Sequence, residues 1–264
     1  MPSHLHVARG ILQPARRFAS RFTPNVSMLA AVTLGAAVCV AGCSKGDRSS
    51  SGAAPAAGTI TATAAQPASA DTDQSAHGAG LPAGYMAQFD HANAKTTDAS
   101  YSEKEPGRWE VKTGPAHILY SPKDTAANKY STSATFQQLE APSHPEAFGV
   151  FVGGSNLNAP TAKYTYFIVR GDGKYMVKVR DGASTRTITD WTANPAIPAQ
   201  DASGKGLYGI RIDVSGKTAN VSVNGAPVTT ISGKDIPLNG ITGVRINHNL
   251  HLIVTPVSVI RGKA

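Results

Sequence analysis

The stretch Leu207–Gly225, LYGIRIDVSGKTANVSVNG, carries the pattern that decides the fold of this chain. Apolar and polar residues alternate on both sides of the pair Ser215-Gly216, as in two half-buried strands joined by a tight turn. The stretch ends on Asn224-Gly225, a dipeptide that favours a two-residue hairpin because both residues tolerate a positive φ. A third strand, Pro227–Ile231, is therefore predicted to follow at once.

The same alternation recurs on both sides of this hairpin. The other runs predicted as strands are Trp109–Val111, His117–Tyr120, Tyr130–Leu139, Phe148–Val152, Tyr164–Arg170, Lys174–Arg180, Ser184–Thr189, Ile241–Asn247 and Leu250–Ile260. No window sustains the apolar stripe of a helix, and turn residues return about every 8–12 positions. The sequence therefore predicts an all-β fold, an antiparallel two-sheet sandwich of the jelly-roll type.

Three further segments extend this pattern into a family resemblance. They are WEVKTG at residues 109–114, VRGDGKYMVKV at residues 169–179 and GITGVRIN at residues 240–247. Together with the VSVNG segment, they resemble the concanavalin A-like lectin/glucanase jelly roll, in its laminin-G-like and 3-keto-disaccharide-hydrolase-like branch. The resemblance spans most of residues 105–261 and rests on turn and packing residues, so it implies the fold, while the function does not transfer with it.

The N-terminus has the pattern of a bacterial lipoprotein leader. Residues 1–42 hold four arginines and no acidic residue, and a short apolar run leads to Val40-Ala41-Gly42-Cys43. These four residues resemble the lipobox, in which the cysteine thiol is acylated and the cysteine becomes the mature N-terminus. Cys43 is therefore the predicted lipidation site, and an ordinary signal peptide or an uncleaved anchor is the alternative.

The chain divides by composition into three parts. Residues 1–42 are the predicted signal peptide, residues 43–80 a Ser/Ala/Gly/Pro/Thr-rich tether that we expect to be disordered, and residues 81–264 the sandwich domain. Of the 25 basic residues, four leave with the leader, so 21 face 17 acidic ones and the charge falls from +8 to +4. The remaining basic residues are scattered, which argues against nucleic acid as a partner. The predicted location is the bacterial cell envelope, with the lipid on the outer membrane or at the periplasmic face.

Aromatic and cationic residues in the second half are the candidates for a carbohydrate site, since sugar rings stack on aromatic faces and their hydroxyls need polar partners. The candidate ligand-binding residues are Trp191, Tyr164, Tyr166, Arg170 and Arg245. Trp191 is interpreted as lying in a loop after a strand, which makes it the best candidate for an exposed stacking platform. Trp109 is interpreted as a core residue.

No catalytic residue is assigned. Hydrolysis of a glycosidic bond needs two carboxylates about 5–10 Å apart, and the E-x-D-x-x-E motif of laminarinase-type relatives is absent. The acidic residues Glu103, Glu105 and Glu110 are interspersed with Lys104 and Arg108, a pattern that favours a solvated strand face.

No metal ligand or cofactor is assigned either. His248 and His251 are three residues apart, and since positions three apart on a strand face opposite sides, this pair does not chelate one ion without a bulge. No spacing for two histidines and one carboxylate is visible. Aspartates recur near turns, where Ca²⁺ is an open alternative, but Asx turns account for them without a metal.

The leading functional prediction is non-catalytic binding of a carbohydrate or another envelope ligand by a lipid-anchored protein. Two alternatives remain open at this level. One is a sugar-active hydrolase of the 3-keto-disaccharide hydrolase type, and the other is a structural or adhesion lipoprotein that binds a protein partner.

Overall fold

The computed structural model describes residues 76–78 and 80–262. The leader, the lipidation site Cys43 and most of the predicted tether lie outside these residues. Gly78 and Gly80, which the sequence assigned to the end of the tether, both contact the start of the sandwich: the amide of Gly78 donates to the carbonyl of Thr97 at 3.3 Å, and Gly80 forms a bridge with Ser100. In the described part of the chain, no helix has the length and apolar character that a membrane crossing requires.

The described residues form fifteen strands and one short 3-10 helix, Thr96–Asp98. The strands are β1 (Met86–Phe89), β2 (Ala99–Glu105), β3 (Arg108–Thr113), β4 (His117–Ala126), β5 (Lys129–Gln138), β6 (Ala147–Ser155), β7 (Lys163–Arg170), β8 (Lys174–Asp181), β9 (Ser184–Ala193), β10 (Gly206–Ser215), β11 (Thr218–Val223), β12 (Ala226–Ser232), β13 (Gly240–Ile246), β14 (His251–Val254) and β15 (Ser258–Arg261).

The strands pair into two sheets, and every pairing between named strands is antiparallel. One sheet has seven strands in the order β1-β4-β13-β6-β7-β8-β9. The other has eight, in the order β12-β11-β10-β5-β14-β3-β2, with β15 beside β14 along the same edge of β5. The predicted fold class, an all-β antiparallel two-sheet sandwich of the jelly-roll type, is confirmed.

The hairpin that began the sequence analysis is present as β10, β11 and β12. Asn224 and Gly225 have φ values of 50° and 82°, the two positive values that a two-residue turn of this kind requires. The Asn224 side chain also ties this turn to β10, since its Oδ1 accepts from the amide of Gly209 at 2.7 Å.

The structure differs from the strand predictions at several strands, and the strand predicted at His117–Tyr120 continues to Ala126. The strands β1 and β2 were not predicted, because their sequences carry few large apolar residues. The run Leu250–Ile260 is two strands, β14 and β15, separated by a segment that contains Pro256, which has no amide proton for a sheet. The strand beginning at Ser184 continues to Ala193, so Trp191 lies within β9 and not in a loop.

The core between the two sheets is formed by the side chains on one face of each sheet. It includes Phe136 and Ile210 from the eight-stranded sheet and Phe148 and Phe167 from the seven-stranded sheet, all fully buried. Trp109 belongs to this core with 7% exposure, which confirms its predicted role.

The two sheets differ on their other faces. Strand β10 alternates between buried and more exposed residues, as a sheet with one solvated face should. Strands β6 and β7 are buried almost without interruption from Ala147 to Gly154 and from Tyr164 to Val169. The seven-stranded sheet is therefore buried on both faces at its centre, and its outer face carries a second cluster of large side chains.

Candidate functional site

The candidate site is the outer face of the seven-stranded sheet, meaning the face turned away from the inter-sheet core. Its side chains form a separate apolar cluster whose buried members are Ile118, Tyr120, Ala147, Phe151, Tyr164, Tyr166, Ile168 and Met176. Leu157, Trp191 and Ile241 pack against this cluster. All five residues predicted to bind a ligand lie on this face, although they are spread from residue 164 to residue 245.

Strand register explains how these residues come together. Tyr164, Tyr166, Ile168 and Arg170 alternate along β7, so their side chains all point outward. On β8, Arg180 lies opposite Tyr164, Lys178 opposite Tyr166 and Met176 opposite Ile168. Antiparallel pairing therefore places a cation beside each of the two tyrosines.

A β-bulge brings Trp191 onto the same face. Tyr175 pairs with Thr192 and Val177 pairs with Thr189, so Asp190 and Trp191 together oppose the single residue Met176. Without this bulge, strict alternation from Thr189, which pairs with the core residue Val177, would direct Trp191 inward. The extra residue leaves the indole of Trp191 beside Met176 at the edge of the outer face, where it is partly exposed.

Arg170 covers the Trp191 ring. Its guanidinium carbon lies 4.2 Å from the ring centroid, within the range of a cation–π contact. The same guanidinium donates to the Asp172 carboxylate from Nε at 3.1 Å and from Nη2 at 2.6 Å. Asp172 thereby fixes the cation over the indole, and one face of the ring is occupied.

Arg245 is the central charge of the outer face. Its side chain is 7% exposed, and Nη1 and Nη2 donate to the two oxygens of Asp90 at 2.8 and 2.6 Å. Burial lowers the pKa of Arg245, but the Asp90 carboxylate raises it above its usual value. Conversely, burial raises the pKa of Asp90, and the hydrogen bonds and charge of Arg245 outweigh this and lower it. The pair therefore stays ionised.

Tyr164 and Tyr166 lie beside this ion pair. Their ring centroids are 5.6 Å apart, and the Arg245 guanidinium carbon lies 5.7 Å from the Tyr166 centroid. Burial raises the pKa of Tyr166 to about 12, so its hydroxyl stays protonated at neutral pH. The two side chains are 2% and 8% exposed, so they do not offer open stacking surfaces.

The accessible part of the outer face runs along β8 and β9. Lys178, Arg180 and Trp191 are partly exposed there. Arg180 donates from Nε to the carbonyl oxygen of Gly182, and no carboxylate among the described residues forms an ion pair with Lys178 or Arg180. This edge therefore combines an indole, the tyrosine rings behind it and two cations that form no direct ion pair among the described residues, although the charge of Arg180 helps to lower the pKa of Asp90.

The acidic residues that the sequence placed on a solvated strand face behave differently from one another. Glu103 and Glu105 are exposed, while Glu110 lies 2.6 Å from Lys104 Nζ and 2.7 Å from His251 Nε2. His251 Nδ1 is also 3.0 Å from Glu140. These residues form a surface ion cluster on the eight-stranded sheet, away from the outer face.

Sequence reasoning missed a cluster at one end of the seven-stranded sheet. The described residues His144, Glu146 and His248 bring two imidazoles and a carboxylate together, with their ligand-type atoms within 4.8 Å of one another. The first two residues precede β6 and the third follows β13, and these strands are neighbours in the sheet. The spacing His144-Pro145-Glu146 was visible in the sequence, but nothing local linked it to a residue about a hundred positions later.

Comparisons with known proteins give a limited result. No protein-family model and no curated protein matches the sequence. Among solved structures, the chain is similar to the carbohydrate-binding module CBM66 from Bacillus subtilis, with 9% identity, a TM-score of 0.48, and coverage of 67% of this chain and 95% of that chain. It is also similar to a Bacillus subtilis protein of unknown function with a galectin-like fold, with 11% identity, a TM-score of 0.48, and coverage of 67% and 90%.

A third similar structure is the alginate lyase A1-II′, with 14% identity, a TM-score of 0.43, and coverage of 61% of this chain and 83% of that chain. At these identities and scores, the likenesses carry no conclusion about ligand or activity.

Proposed function

We propose that the sandwich binds an acidic carbohydrate, without catalysis, on the outer face of the seven-stranded sheet. The observation that carries this proposal is the pairing of Arg180 with Tyr164 and of Lys178 with Tyr166 across β7 and β8. Neither cation forms a direct ion pair with a carboxylate among the described residues, and the partly exposed Trp191 lies on the adjacent strand.

The chemistry of this edge suits a sugar that carries negative charge. Carboxylate or sulfate groups form charge-assisted hydrogen bonds with Lys and Arg, about twice as strong as neutral ones. The apolar face of a sugar ring packs against aromatic side chains, while its hydroxyls take polar partners. Because Arg170 covers one face of the Trp191 ring, we expect the indole to contact the ligand with its remaining exposed surface.

The charges on the outer face favour binding over hydrolysis. Hydrolysis requires one carboxyl group that donates a proton and a second that acts as nucleophile or base. Asp90 is the carboxylate closest to Arg245, and both of its oxygens accept hydrogen bonds from that guanidinium. Its lowered pKa also makes it a poor proton donor at neutral pH.

We further propose that the protein is held at the bacterial envelope by acylation of Cys43. The support is the leader pattern and the small residues before this cysteine. Metabolic labelling with a radioactive fatty acid should mark the wild-type chain and not C43A, and the variant should appear as an unprocessed or released form. Equal labelling of both chains would contradict the proposal.

The binding test uses the purified full chain in detergent. Calorimetric titration with oligouronates should give a measurable affinity that falls with added salt, and neutral glucan oligosaccharides of equal length should bind at least tenfold more weakly. The double variant K178A/R180A should lose at least tenfold in affinity for the oligouronate.

The matched control is K112A/K129A, which also removes two positive charges but changes exposed residues of β3 and β5 in the eight-stranded sheet. This control should stay within about twofold of wild type. An equal loss of oligouronate affinity in both double variants would show that the binding is nonspecific charge attraction. If no sugar binds and the outer face instead retains a protein, the adhesion alternative is favoured.

A further inference from the structure

We propose that His144, Glu146 and His248 form a binding site for a divalent transition metal ion of the zinc class. This site adjoins the proposed carbohydrate surface, since Asp172 borders both, but the proposal does not rest on that surface. Two imidazoles and one carboxylate are the donor set of several three-ligand zinc sites, in which a water or a substrate atom takes the fourth position.

The geometry is close to what such an ion needs. His144 Nδ1 lies 3.0 Å and His248 Nε2 2.7 Å from Glu146 Oε1. Zinc–ligand distances of about 2.0–2.1 Å place neighbouring tetrahedral ligand atoms about 3.3 Å apart. The two imidazole centroids are 5.4 Å apart with an interplanar angle of 52°, so small side-chain rotations bring both nitrogens onto one ion.

A set of outer hydrogen bonds holds the carboxylate in place. Glu146 is 8% exposed at its side chain, and its second oxygen, Oε2, accepts from Asn247 Nδ2 at 3.1 Å. Asn247 Oδ1 in turn accepts from Arg245 Nε at 3.2 Å. Outer-shell partners of this kind orient metal ligands and raise metal affinity.

The imidazoles can take the protonation states that a metal requires. A ligating nitrogen must carry no proton, so the ring proton moves to the other nitrogen, or an imidazolium proton is released to solvent. For His144 the other nitrogen is Nε2, which lies 3.5 Å from the side-chain amide of Asn249. The oxygen and the nitrogen of a side-chain amide are told apart by their hydrogen bonds alone. If the Asn249 amide is flipped, its Oδ1 faces His144 Nε2 and accepts the proton on that nitrogen.

The site also has room for a fourth ligand. A cavity of about 160 Å³ is lined by both His144 and Glu146, together with Ser143, Asp172 and Gln200. A water molecule or a small anionic group in this cavity can reach an ion held by the three side chains. Its size is below the about 300–1,000 Å³ of pockets for drug-sized ligands, so the fourth ligand is small.

The test is a titration of the purified, metal-stripped full chain with Zn²⁺ alone. We expect wild type to bind an ion at this site with an affinity that falls at least tenfold in E146Q and in H248Q. The matched control is H251Q, because His251 also contacts carboxylates, Glu110 and Glu140, but lies in a cluster with a single histidine. This control should keep the wild-type affinity.

Other histidines and the cysteines of the full chain can also take up zinc, so the site is defined by the difference between variants. Near-ultraviolet circular dichroism checks that the variants fold. A second measurement needs only wild type: imidazole nitrogen NMR signals of His144 and His248 should shift on addition of Zn²⁺, and those of His251 should not. Identical titrations of wild type and E146Q, or unshifted His144 and His248 signals, would overturn the proposal.

Discussion

Arg245 and Asp90, 155 residues apart in the sequence, form a bidentate ion pair on the outer face of the seven-stranded sheet, with N–O distances of 2.8 and 2.6 Å. Arg245 lies on β13 and Asp90 directly follows β1, with β4 between them. The pair therefore ties the edge strand β1 to the sheet centre. It also connects through Asn247 to Glu146, so the outer face and the histidine cluster share one polar network.

Breaking this pair should destabilise the protein. In D90N the guanidinium of Arg245 stays buried without a counter-charge, and removal of one partner from a buried pair costs about 3–5 kcal/mol. Because the Asp90 side chain is 34% exposed, we expect a loss of about 3 kcal/mol, at the lower end of that range. Urea unfolding at pH 7 measures it.

The pH dependence of this loss has a defined sign. Since the pKa of Asp90 is lowered in the folded state, its stabilisation is present above the ordinary carboxyl pKa and is lost as pH falls through the folded value. The difference between wild type and D90N should therefore shrink below about pH 4. A difference that stays constant down to pH 2 would contradict this account.

His117 should make the fold sensitive to mild acid. It is fully buried, with Nδ1 at 3.1 Å from the Pro115 carbonyl and Nε2 at 2.6 Å from the Tyr101 hydroxyl. Burial lowers its pKa to about 4. The unfolded chain binds the proton near pH 6.5, so stability should fall by about 3 kcal/mol between pH 6.5 and 4.

The variant H117Q isolates that contribution. Unfolding free energies of wild type and H117Q, measured from pH 7 to 4, should converge as the pH falls, because glutamine does not titrate. Parallel curves would show that another group causes the acid sensitivity.

Gly149 should not tolerate a side chain. A Cβ at this position would lie 1.9 Å from the Phe167 carbonyl oxygen on the neighbouring strand β7. G149A must therefore separate β6 from β7, and overpacking of this kind costs about 3 kcal/mol. Thermal unfolding and soluble yield measure the effect.

The control for this change is G209A, also within a strand. The nearest atom to a Cβ at Gly209 is Asn224 Oδ1 at 3.4 Å, an ordinary contact. We expect G209A to change stability by less than about 1 kcal/mol. Similar losses in the two variants would mean that the contact with Phe167 is not the cause.

Trp191 should affect ligand binding more than folding. W191A removes the indole that Arg170 covers and that lies opposite Met176, two positions along β8 from Lys178. Loss of a partly exposed aromatic contact should weaken oligouronate binding about tenfold. The matched substitution W109A removes a core indole and should instead destabilise the fold by about 3–5 kcal/mol. Unchanged sugar binding in W191A would remove this residue from the site.

Asn247 should act on the histidine cluster through Glu146. In N247A the carboxylate loses the hydrogen bond to Oε2, and outer-shell losses of this type reduce metal affinity about 10–100-fold. Zn²⁺ titration should show a weaker site with the same stoichiometry, and restoration in N247Q would support a positioning role. A complete loss of binding together with lost near-ultraviolet dichroism would indicate unfolding instead.

Several features of the fold were predictable because their causes are local. The alternation in Leu207–Val223 and the positive φ at Asn224 and Gly225 need only neighbouring residues, and the structure reproduces both. The end of β9 was not predictable in this way. Asp190 and Trp191 bulge because of their pairing with Met176 on β8, which no pattern within β9 reveals.

The sequence by itself determined the all-β class, the turn positions and the inward placement of Trp109, since strand period and turn chemistry act over a few residues. The tertiary structure alone decided which side chains meet. It buried Tyr164 and Tyr166 beside Arg245, brought Asp90 to that cation and joined His144 to His248. Register between strands that are distant in the chain sets these contacts, and a shift of one residue would move each side chain to the opposite face.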